Sequence, residues 1–384
     1  MKKTALKLQQ RVLTLMARGV AQPTSDDEFN ELACAVFNFQ HEHCGVYRAY
    51  CEQQKCIPET VSHWKQIPAV PTSAFKDFTI ACFPAEDAVA EFQTSGTTRE
   101  KSGRHFLHTL ELYDAAIKPN FAAHLLPDTV ERASRPFIRR QPEVNGRDAR
   151  STFPRMLILT PSLHEAWHSS LSHMMDVVMR EFGAEESAYY VERGALCVER
   201  LVRTLREAEQ ARQPVFLLGT AFAFIHIFDH LAANDLRFEM ADGSRAMETG
   251  GFKGRSREIP KKELYGMFEK FLGIPPTRVV NEYGMTELST QFYDQTLREG
   301  CQTDRKVSPP WSRVVIIDPN TGNEAPEGQR GLIRIYDLAN LWSAMCIQTE
   351  DLGVASGNGF EVLGRAAGAE VRGCSLNAES FPFR

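Results

Sequence analysis

The chain has 384 residues, with 44 lysines and arginines against 49 aspartates and glutamates, which gives a formal net charge of −5. Hydrophobic residues make up 43%, so a sizeable core can form, and the length suits two domains or one large α/β domain with a small appendage. The mild acidity argues against a nucleic-acid interface, which needs a basic face. No apolar run approaches the roughly 20 residues of a membrane-spanning helix.

The N-terminal segment carries apolar residues at helical spacing, namely Leu6, Val12, Leu13 and Met16. Polar residues at 9–11 interrupt what would otherwise resemble an export signal. We therefore predict an amphipathic helix and a cytoplasmic protein.

The nine cysteines are odd in number and scattered, so we expect thiols in a reducing compartment rather than disulfides. Five histidines and cysteines cluster near the N-terminus, where zinc ligands are one alternative. Because no CxxC pair occurs and apolar residues interleave as on a helix face, we interpret the cluster as ordinary helix residues. Its members are His41, His43, Cys44, Cys51 and Cys56.

Downstream, short apolar runs alternate with helical patterns, which predicts an α/β architecture with ligands at the carboxyl ends of the strands. The predicted order is a proline-punctuated loop (62–78), a short strand entering a hydroxyl-rich loop (94–98), a helix (108–126), a charged surface insertion (131–152), a buried strand (155–160), a helix ended by Gly183, a strand–turn–helix (214–231), a strand delivering a polar loop (278–287), two strands with a turn-rich connection (312–338), and a glycine-rich tail from about 353.

The hydroxyl-rich loop is the first candidate site. Small hydroxyl residues around a glycine allow backbone N–H groups and hydroxyls to converge on phosphate oxygens, and Lys101 and Arg104 could add charge. No GxxxxGK[ST] motif occurs, so this is not a Walker loop, and a polar turn is the alternative. The loop consists of Thr94, Ser95, Gly96, Thr97 and Thr98.

The second candidate is "NEYGMTE", at the end of a predicted strand. Tyr283 offers a flat face for a purine, Thr286 a hydroxyl for phosphate, and Glu287 a hard oxygen ligand for Mg²⁺. Glu282 precedes the tyrosine and Gly284 gives the turn flexibility. The alternative is a turn with a core tyrosine.

Two further stretches supply nucleotide-binding candidates. The pair Gly250 and Gly251 lets the backbone pass close to a planar ring. Asp351 could accept hydrogen bonds from both ribose hydroxyls, and Arg365 could reach the same sugar or a phosphate.

Cys374 lies near the C-terminus in "EVRGCSL", between flexible residues and close to Arg372. A neighbouring arginine can lower the pKa of a thiol, and a buried structural cysteine would normally sit in an apolar run. We therefore favour a reactive thiol over a packing residue.

A rival hypothesis comes from "HEAWH", which matches the HExxH signature of zinc proteases. His164 and His168 would hold the metal, Glu165 would act as base, and a glutamate at 185 or 186 could be the third ligand. The match follows a strand, and we predict that its helix begins near Ser162. The protease hypothesis explains none of the other motifs.

Taken in order, the hydroxyl loop, the Gly-Gly loop, "NEYGMTE", Asp351 and the Gly364-Arg365 pair resemble the adenylate-forming enzymes, a superfamily of acyl-CoA synthetases, luciferases and adenylation domains. "NEYGMTELSTQFY" and "EVRGCSL" more closely resemble the acyl-protein synthetases of bacterial bioluminescence, over most of residues 60–384. This resemblance implies an α/β fold of mixed sheets flanked by helices, with a truncated C-terminal segment.

The resemblance also implies roles for individual residues and a division of the chain. An adenylating domain with a helical N-terminal part would span 1–363, and a short segment over 364–384 would carry the acyl acceptor. For the nucleotide, the implied roles are phosphate binding by 94–98, ribose binding by Asp351 and Arg365, and contact with the adenine by 249–251. Glu287 would bind Mg²⁺, and Cys374 would accept the acyl group. The residues implied to be catalytic are Cys374, Glu287 and Arg365.

Two departures from the superfamily pattern matter. The usual C-terminal domain with its catalytic lysine has no counterpart after Arg365, which fits acyl transfer to an internal thiol. The hydroxyl loop continues as "REKSGRH" rather than with the usual glycine and proline-lysine, so the roles of Lys101 and Arg104 stay open.

The combined prediction is a ligase that uses ATP and Mg²⁺ to convert a long-chain fatty acid to acyl-AMP and then to a thioester on Cys374. By resemblance, the thioester passes to an NADPH-dependent acyl reductase, and an acyl-transferase protein is a further candidate partner. The alternatives are an acyl- or aryl-CoA ligase, a ligase that loads a carrier protein, and a nucleotide-binding scaffold without activity. The oligomeric state stays open.

Overall fold

The computed structural model describes residues 2–94, 101–127, 154–250 and 259–366. Two main sheets with helices packed against them confirm the predicted α/β architecture. No helix in these residues is both long and apolar enough to cross a membrane.

The N-terminal part is helical, as predicted, and includes the histidine–cysteine cluster. The Ser25 hydroxyl accepts a hydrogen bond from the Glu28 backbone N–H at 3.1 Å, which caps the second helix at its acidic first turn. Across the described ranges, no three His, Cys, Asp or Glu side chains are grouped so that they could hold a metal ion. The helices are α1 (Lys2–Ala17), α2 (Asp26–His43) and α3 (Gly45–Gln53).

The chain then crosses between the sheets and forms an antiparallel hairpin whose two strands flank the hydroxyl-rich loop. The strand that enters the loop and the helix that follows the hairpin are both found where the sequence predicts them. The elements are β1 (Val70–Pro71), α4 (Ala74–Asp77), β2 (Ala90–Gln93), β3 (Arg104–Leu107) and α5 (Glu111–Leu125).

A six-stranded sheet follows, built from βα repeats in the order β11-β10-β9-β8-β4-β5, with β11 antiparallel and the other strands parallel. Its elements are β4 (Arg155–Leu159), α6 (Ser170–Phe182), β5 (Ala188–Tyr189), α7 (Val198–Gln210), β8 (Val215–Thr220), α8 (Ala221–Ala233), β9 (Arg245–Thr249), α9 (Lys261–Leu272), β10 (Val279–Tyr283) and β11 (Phe292–Tyr293); a small hairpin, β6 (Val191–Glu192) with β7 (Ala195–Leu196), precedes α7.

Both faces of this sheet are covered, which explains why its strands are nearly continuous apolar runs. Helices α5 and α6 pack on one face, and α7, α8 and α9 pack on the other. Since the strands are parallel, their carboxyl ends lie at one edge of the sheet. The residues at that edge are Leu159, Thr220, Thr249 and Tyr283.

The second sheet has five strands, and the N-terminal helices pack against it in one core. The order is β1-β14-β13-β12, with β15 also paired to β14; only the β1–β14 pair is parallel. Its strands are β12 (Ser312–Ile317), β13 (Arg330–Asp337), β14 (Cys346–Ser356) and β15 (Gly359–Arg365), and the short helix α10 (Thr296–Glu299) precedes them.

The two sheets are connected close to the carboxyl edge of the first. The backbone of Lys306 pairs with Asp294 beside β11 and with Phe360 in β15. The Tyr283 hydroxyl, at the end of β10, donates a hydrogen bond to Asp351 in β14 at 2.8 Å. The last residues of one sheet therefore face the middle of the other, and Tyr283 and Asp351, two of the predicted site residues, meet there.

Candidate active site

The base of the hydroxyl-rich loop is a closed hairpin. The backbone N–H of Thr94 donates to the Gly103 carbonyl at 2.9 Å, and the N–H of Gly103 donates to Thr94 Oγ1 at 2.8 Å. Thr94 therefore uses its hydroxyl to fix the mouth of the loop. The remaining predicted phosphate-binding residues, 95–98, lie outside the described residues, and their role stays a prediction.

The turn after β10 lies directly against this hairpin. Thr286 Oγ1 donates to the Gln93 carbonyl at 3.4 Å, and His105 Nδ1 donates to the Thr286 carbonyl at 2.9 Å. His105 is buried, and burial lowers the pKa of its imidazole to about 4, so the ring stays neutral. Two motifs far apart in sequence are thus brought together, and the histidine that joins them was not among the predicted residues.

Glu287, the predicted Mg²⁺ ligand, is 7% exposed at the end of this turn. Burial raises the pKa of its carboxyl to about 7, while its own backbone N–H and the charge of Arg365 act in the opposite direction. Within the described ranges, no other residue donates a hydrogen bond to this carboxyl. A desolvated carboxyl that accepts no hydrogen bond from another described residue fits a divalent cation, which would stabilise its charged form.

Glu282 lies in β10, five residues before Glu287, and pairs with Thr249 at the end of β9. The Thr249 hydroxyl donates to its Oε2, and burial raises the pKa of the carboxyl to about 7. Gly284 leaves room for this arrangement, since a Cβ at that position would lie 2.4 Å from Glu282 Oε1. Gly250, next to Thr249, has a left-handed backbone with φ of 74°, which favours glycine. Gly251 lies outside the described residues.

Asp351 and Arg365 face each other as a register pair in β14 and β15. The Arg365 Nε atom is 4.0 Å from Asp351 Oδ1, and the Tyr283 hydroxyl donates to Oδ2 of the same carboxyl. Burial raises the pKa of Asp351, and the hydrogen bond from Tyr283 opposes that shift. The three residues predicted to bind the nucleoside thus form one contact group, with Arg365 82% exposed at its outer side.

The two cations proposed to assist the phosphate loop lie on the outer surface of the hairpin. Lys101 Nζ is 3.8 Å from Asp77 Oδ1, with both side chains largely exposed. The Arg104 guanidinium lies 5.1 Å from the centre of the Phe106 ring. Their roles at a phosphate remain open.

The prediction that a helix begins near Ser162 and carries "HEAWH" is wrong. Residues 163–168 form turns, and α6 begins at Ser170, where the Ser169 hydroxyl accepts from the Ser172 N–H at 3.2 Å as a helix cap. The His168 carbonyl instead accepts from the Gln93 N–H at 2.9 Å, so the segment borders the β2–β3 hairpin. Without a helical turn between the histidines, the HExxH geometry is lost.

Sequence reasoning missed two residues that hold the turn after β10 from the other sheet, Asp337 and Asn340. Both are buried, and both bond to residues 287–290. The available signal was "YDLAN", in which an acid and an amide follow a buried apolar strand. Cys374, the predicted acyl acceptor, lies outside the described residues.

Comparison with solved structures identifies the fold. A solved structure of 2-hydroxyisobutyryl-CoA ligase in an open conformation, in complex with 2-HIB-AMP and CoA, superposes with a TM-score of 0.59 at 12% identity, covering 88% of this chain and 70% of the ligase. The same ligase in the postadenylation state gives a TM-score of 0.60 at 14% identity, over 91% and 69%. The chain therefore shares the fold of this ligase.

Sequence comparison narrows the class to one family. The family described as "Acyl-protein synthetase, LuxE" matches residues 128–381. A long-chain-fatty-acid–luciferin-component ligase of Aliivibrio fischeri is 21% identical over 91% of this chain and 87% of the relative. The protein of the same name from Vibrio harveyi is 20% identical over 91% and 86%. The chain belongs to the acyl-protein synthetase family, as its sequence motifs predicted.

Proposed function

We propose that this ligase activates a long-chain fatty acid with ATP and Mg²⁺ to acyl-AMP, and then transfers the acyl group to Cys374 as a thioester. The observation that carries the proposal is the convergence of three separate motifs at one sheet edge. The Thr94 hairpin contacts Thr286, which precedes Glu287, and Tyr283 of the same turn bonds to Asp351. The named substrates of the two bacterial relatives support a fatty acid as the carboxylate.

In the first step a carboxylate oxygen of the fatty acid attacks the α-phosphorus of ATP. The bond from that phosphorus to the bridging oxygen breaks, and pyrophosphate leaves with the electron pair. The hydroxyl-rich loop at 94–98 would donate hydrogen bonds to the phosphates, while Asp351 accepts from the ribose and Arg365 adds positive charge beside it. Donors that are fixed before the reaction stabilise the developing charge without having to reorganise.

Mg²⁺ fits the site through Glu287, whose buried carboxyl lacks a donor from another described residue. The ion would neutralise charge on the phosphate oxygens. The chain's own contribution is to hold that carboxyl in place and to exclude water from around it.

In the second step the Cys374 thiolate attacks the carbonyl carbon of the mixed anhydride. The carbon–oxygen bond to AMP breaks, AMP leaves, and a thioester remains on the protein. A covalent intermediate divides one difficult transfer into two easier ones. We propose that residues 364–384 act as the segment that presents this cysteine to the 1–363 adenylating part, although β15 itself continues to Arg365.

The thioester is an activated acyl group, so its consumer must be an acyl-accepting or acyl-reducing enzyme. We propose an NADPH-dependent acyl reductase as the partner. An acyl-transferase protein that supplies or exchanges the acyl group is the second candidate partner.

Intact-protein mass spectrometry after incubation with ATP, Mg²⁺ and a panel of fatty acids tests the proposal. We expect the mass of one acyl group on the wild-type chain, removed by hydroxylamine and absent from Cys374→Ser. The exposed Cys301 provides the matched control, since Cys301→Ser should still become acylated. An acyl group found only on added CoA would favour a CoA ligase, and failure to exchange pyrophosphate into ATP would favour a scaffold without activity.

A further inference from the structure

The segment that begins at Glu287 is held by the end of β13 in the other sheet. Asp337 is completely buried, and its Oδ2 accepts from the backbone N–H groups of Ser289 at 3.0 Å and Thr290 at 2.9 Å. Its Oδ1 accepts from the Thr290 hydroxyl at 2.7 Å and from the Ala339 N–H at 3.0 Å. One carboxylate therefore satisfies four donors. Three of these donors belong to Ser289 and Thr290, which follow shortly after Glu287.

Asn340 completes this contact, three residues further along. Its Nδ2 donates to the Glu287 carbonyl at 2.8 Å and to the Ala344 carbonyl at 3.1 Å. Its Oδ1 accepts from the Ser289 hydroxyl at 2.6 Å. Because both ends of the amide are engaged, its orientation is fixed, and it holds the Glu287 backbone directly.

The residue before Glu287 is held from the opposite side. Thr286 bonds to Gln93 through its hydroxyl and to His105 through its carbonyl. The backbone on both sides of Glu287 is thus fixed by two different parts of the fold. Its carboxyl, by contrast, receives no hydrogen bond from another described residue. A fixed backbone with a desolvated carboxyl that no other described residue engages is the arrangement expected of a preorganised ligand.

We propose that Asp337 and Asn340 are positioning residues that hold Glu287 for the divalent cation that accompanies ATP. This inference rests on the proposed function and adds to it two buried residues that act through the backbone of residues 287–290. A looser backbone would allow the Glu287 carboxyl to leave the cation, so removal of either contact should weaken metal binding selectively. We expect the affinity for the fatty acid to change less than the affinity for the metal ion.

The direct test is binding of Mn²⁺, followed by the loss of the free-ion signal in electron paramagnetic resonance, in the presence of α,β-methylene ATP. We expect the Mn²⁺ dissociation constant to rise about tenfold in Asn340→Ala, within the range found when outer-shell partners of metal ligands are removed. Ser289→Ala keeps every backbone contact and removes only the bond that orients the amide, so we expect a rise of about threefold.

Ser244→Ala is the matched control. Ser244 is also buried, and its hydroxyl accepts from the Val215 N–H at 3.1 Å, at the opposite edge of the sheet. This variant should bind Mn²⁺ as the wild type does. The Mg²⁺ concentration for half-maximal pyrophosphate exchange should rise in parallel with the Mn²⁺ constant, with the KM for fatty acid changed less than about twofold.

The inference is overturned if Asn340→Ala and Ser289→Ala both bind Mn²⁺ as the wild type does. It is also overturned if Ser244→Ala weakens Mn²⁺ binding as much as those two variants do. If Asn340→Ala does not fold, Ser289→Ala decides the question alone. Failure of the proposed function would give a different result. The wild-type protein would then show no fatty-acid-dependent pyrophosphate exchange, independently of how tightly the variants bind Mn²⁺.

Discussion

Two turns leave the same edge of the six-stranded sheet, and each carries a glutamate within a recognisable motif. The turn after β10 buries Glu287 and is bonded to the β2–β3 hairpin and to the Asp337–Asn340 turn. The turn after β4 leaves Glu165 exposed, with its carboxyl accepting only from the Arg193 N–H among the described residues. The two carboxyls therefore differ in burial and in how firmly their backbone is held, although each lies in a motif, and this difference is the reason that we propose Glu287 as the metal ligand.

The strongest test of this difference between the two turns is to replace each glutamate with glutamine. Glu287→Gln keeps the size of the side chain and removes the charge that would bind Mg²⁺, so we expect fatty-acid-dependent pyrophosphate exchange to fall at least about 100-fold. Glu165→Gln should leave the rate within about twofold of wild type, because surface changes away from a site have small effects. A large loss in Glu165→Gln would reopen the hypothesis that the turn after β4 is catalytic.

Glu282, in the strand that leads into the β10 turn, should make the free energy of unfolding depend on pH. In the folded chain its carboxyl has a pKa of about 7 rather than 4.5, so it keeps its proton over a range in which the unfolded chain loses it. Unfolding therefore releases a proton between about pH 4.5 and 7, and the free energy of unfolding falls as the pH rises through that window. Two and a half pKa units correspond to at most about 3 kcal/mol.

Urea denaturation at pH 5 and at pH 8, in EDTA, measures this effect. We expect Glu282→Gln to lose less of its free energy of unfolding over this interval than the wild type does, by up to about 3 kcal/mol. The contributions of Glu287 and Asp337, whose pKa values are also raised, remain in both proteins and cancel in the difference. Equal pH slopes in the two proteins would show that Glu282 does not keep its proton in the fold.

The close approach of Gly284 to Glu282 predicts a smaller loss of stability for Gly284→Ala. An alanine Cβ there would lie 2.4 Å from Glu282 Oε1 and would displace that carboxyl from Thr249, so we expect a loss of about 2 kcal/mol in the free energy of unfolding. The control is Gly266→Ala in α9, where a Cβ meets open space and alanine should stabilise by about 0.5 kcal/mol. Equal urea midpoints for Gly284→Ala and wild type would mean that the turn is not tightly packed.

Local patterns were enough to predict the strands and helices that build the site. The run at 155–160 and the strand–turn–helix at 214–231 are apolar because parallel strands are covered on both faces, and this pattern is visible without a structure. The joint order of the motifs also led to the correct family. These features depend on residues that are close in sequence or on the order of short motifs.

The pairing of distant polar residues could not be read in the same way. Asp337 reads as the polar end of a strand, and only the fold reveals that it satisfies backbone N–H groups nearly fifty positions earlier. His105 likewise looks like an ordinary residue after the hydroxyl loop. The prediction of a helix over "HEAWH" was wrong because Ser169 caps α6 after this motif. The capping serine is visible in the sequence, and this local signal contradicts a helix over the motif.

The smallest expected effect concerns the contact between the sheets. Tyr283→Phe removes the hydrogen bond to Asp351, which is worth about 1.4 kcal/mol, so we expect the KM for ATP to rise about tenfold with little change in kcat. Tyr190→Phe is the control: its hydroxyl is buried and donates to Thr204 Oγ1 at 3.0 Å on the far side of the six-stranded sheet. Both variants should lose similar stability, yet only Tyr283→Phe should weaken ATP use. If both leave the KM for ATP unchanged, Asp351 does not bind the nucleotide, and the turn after β10 serves the phosphates and the cation alone.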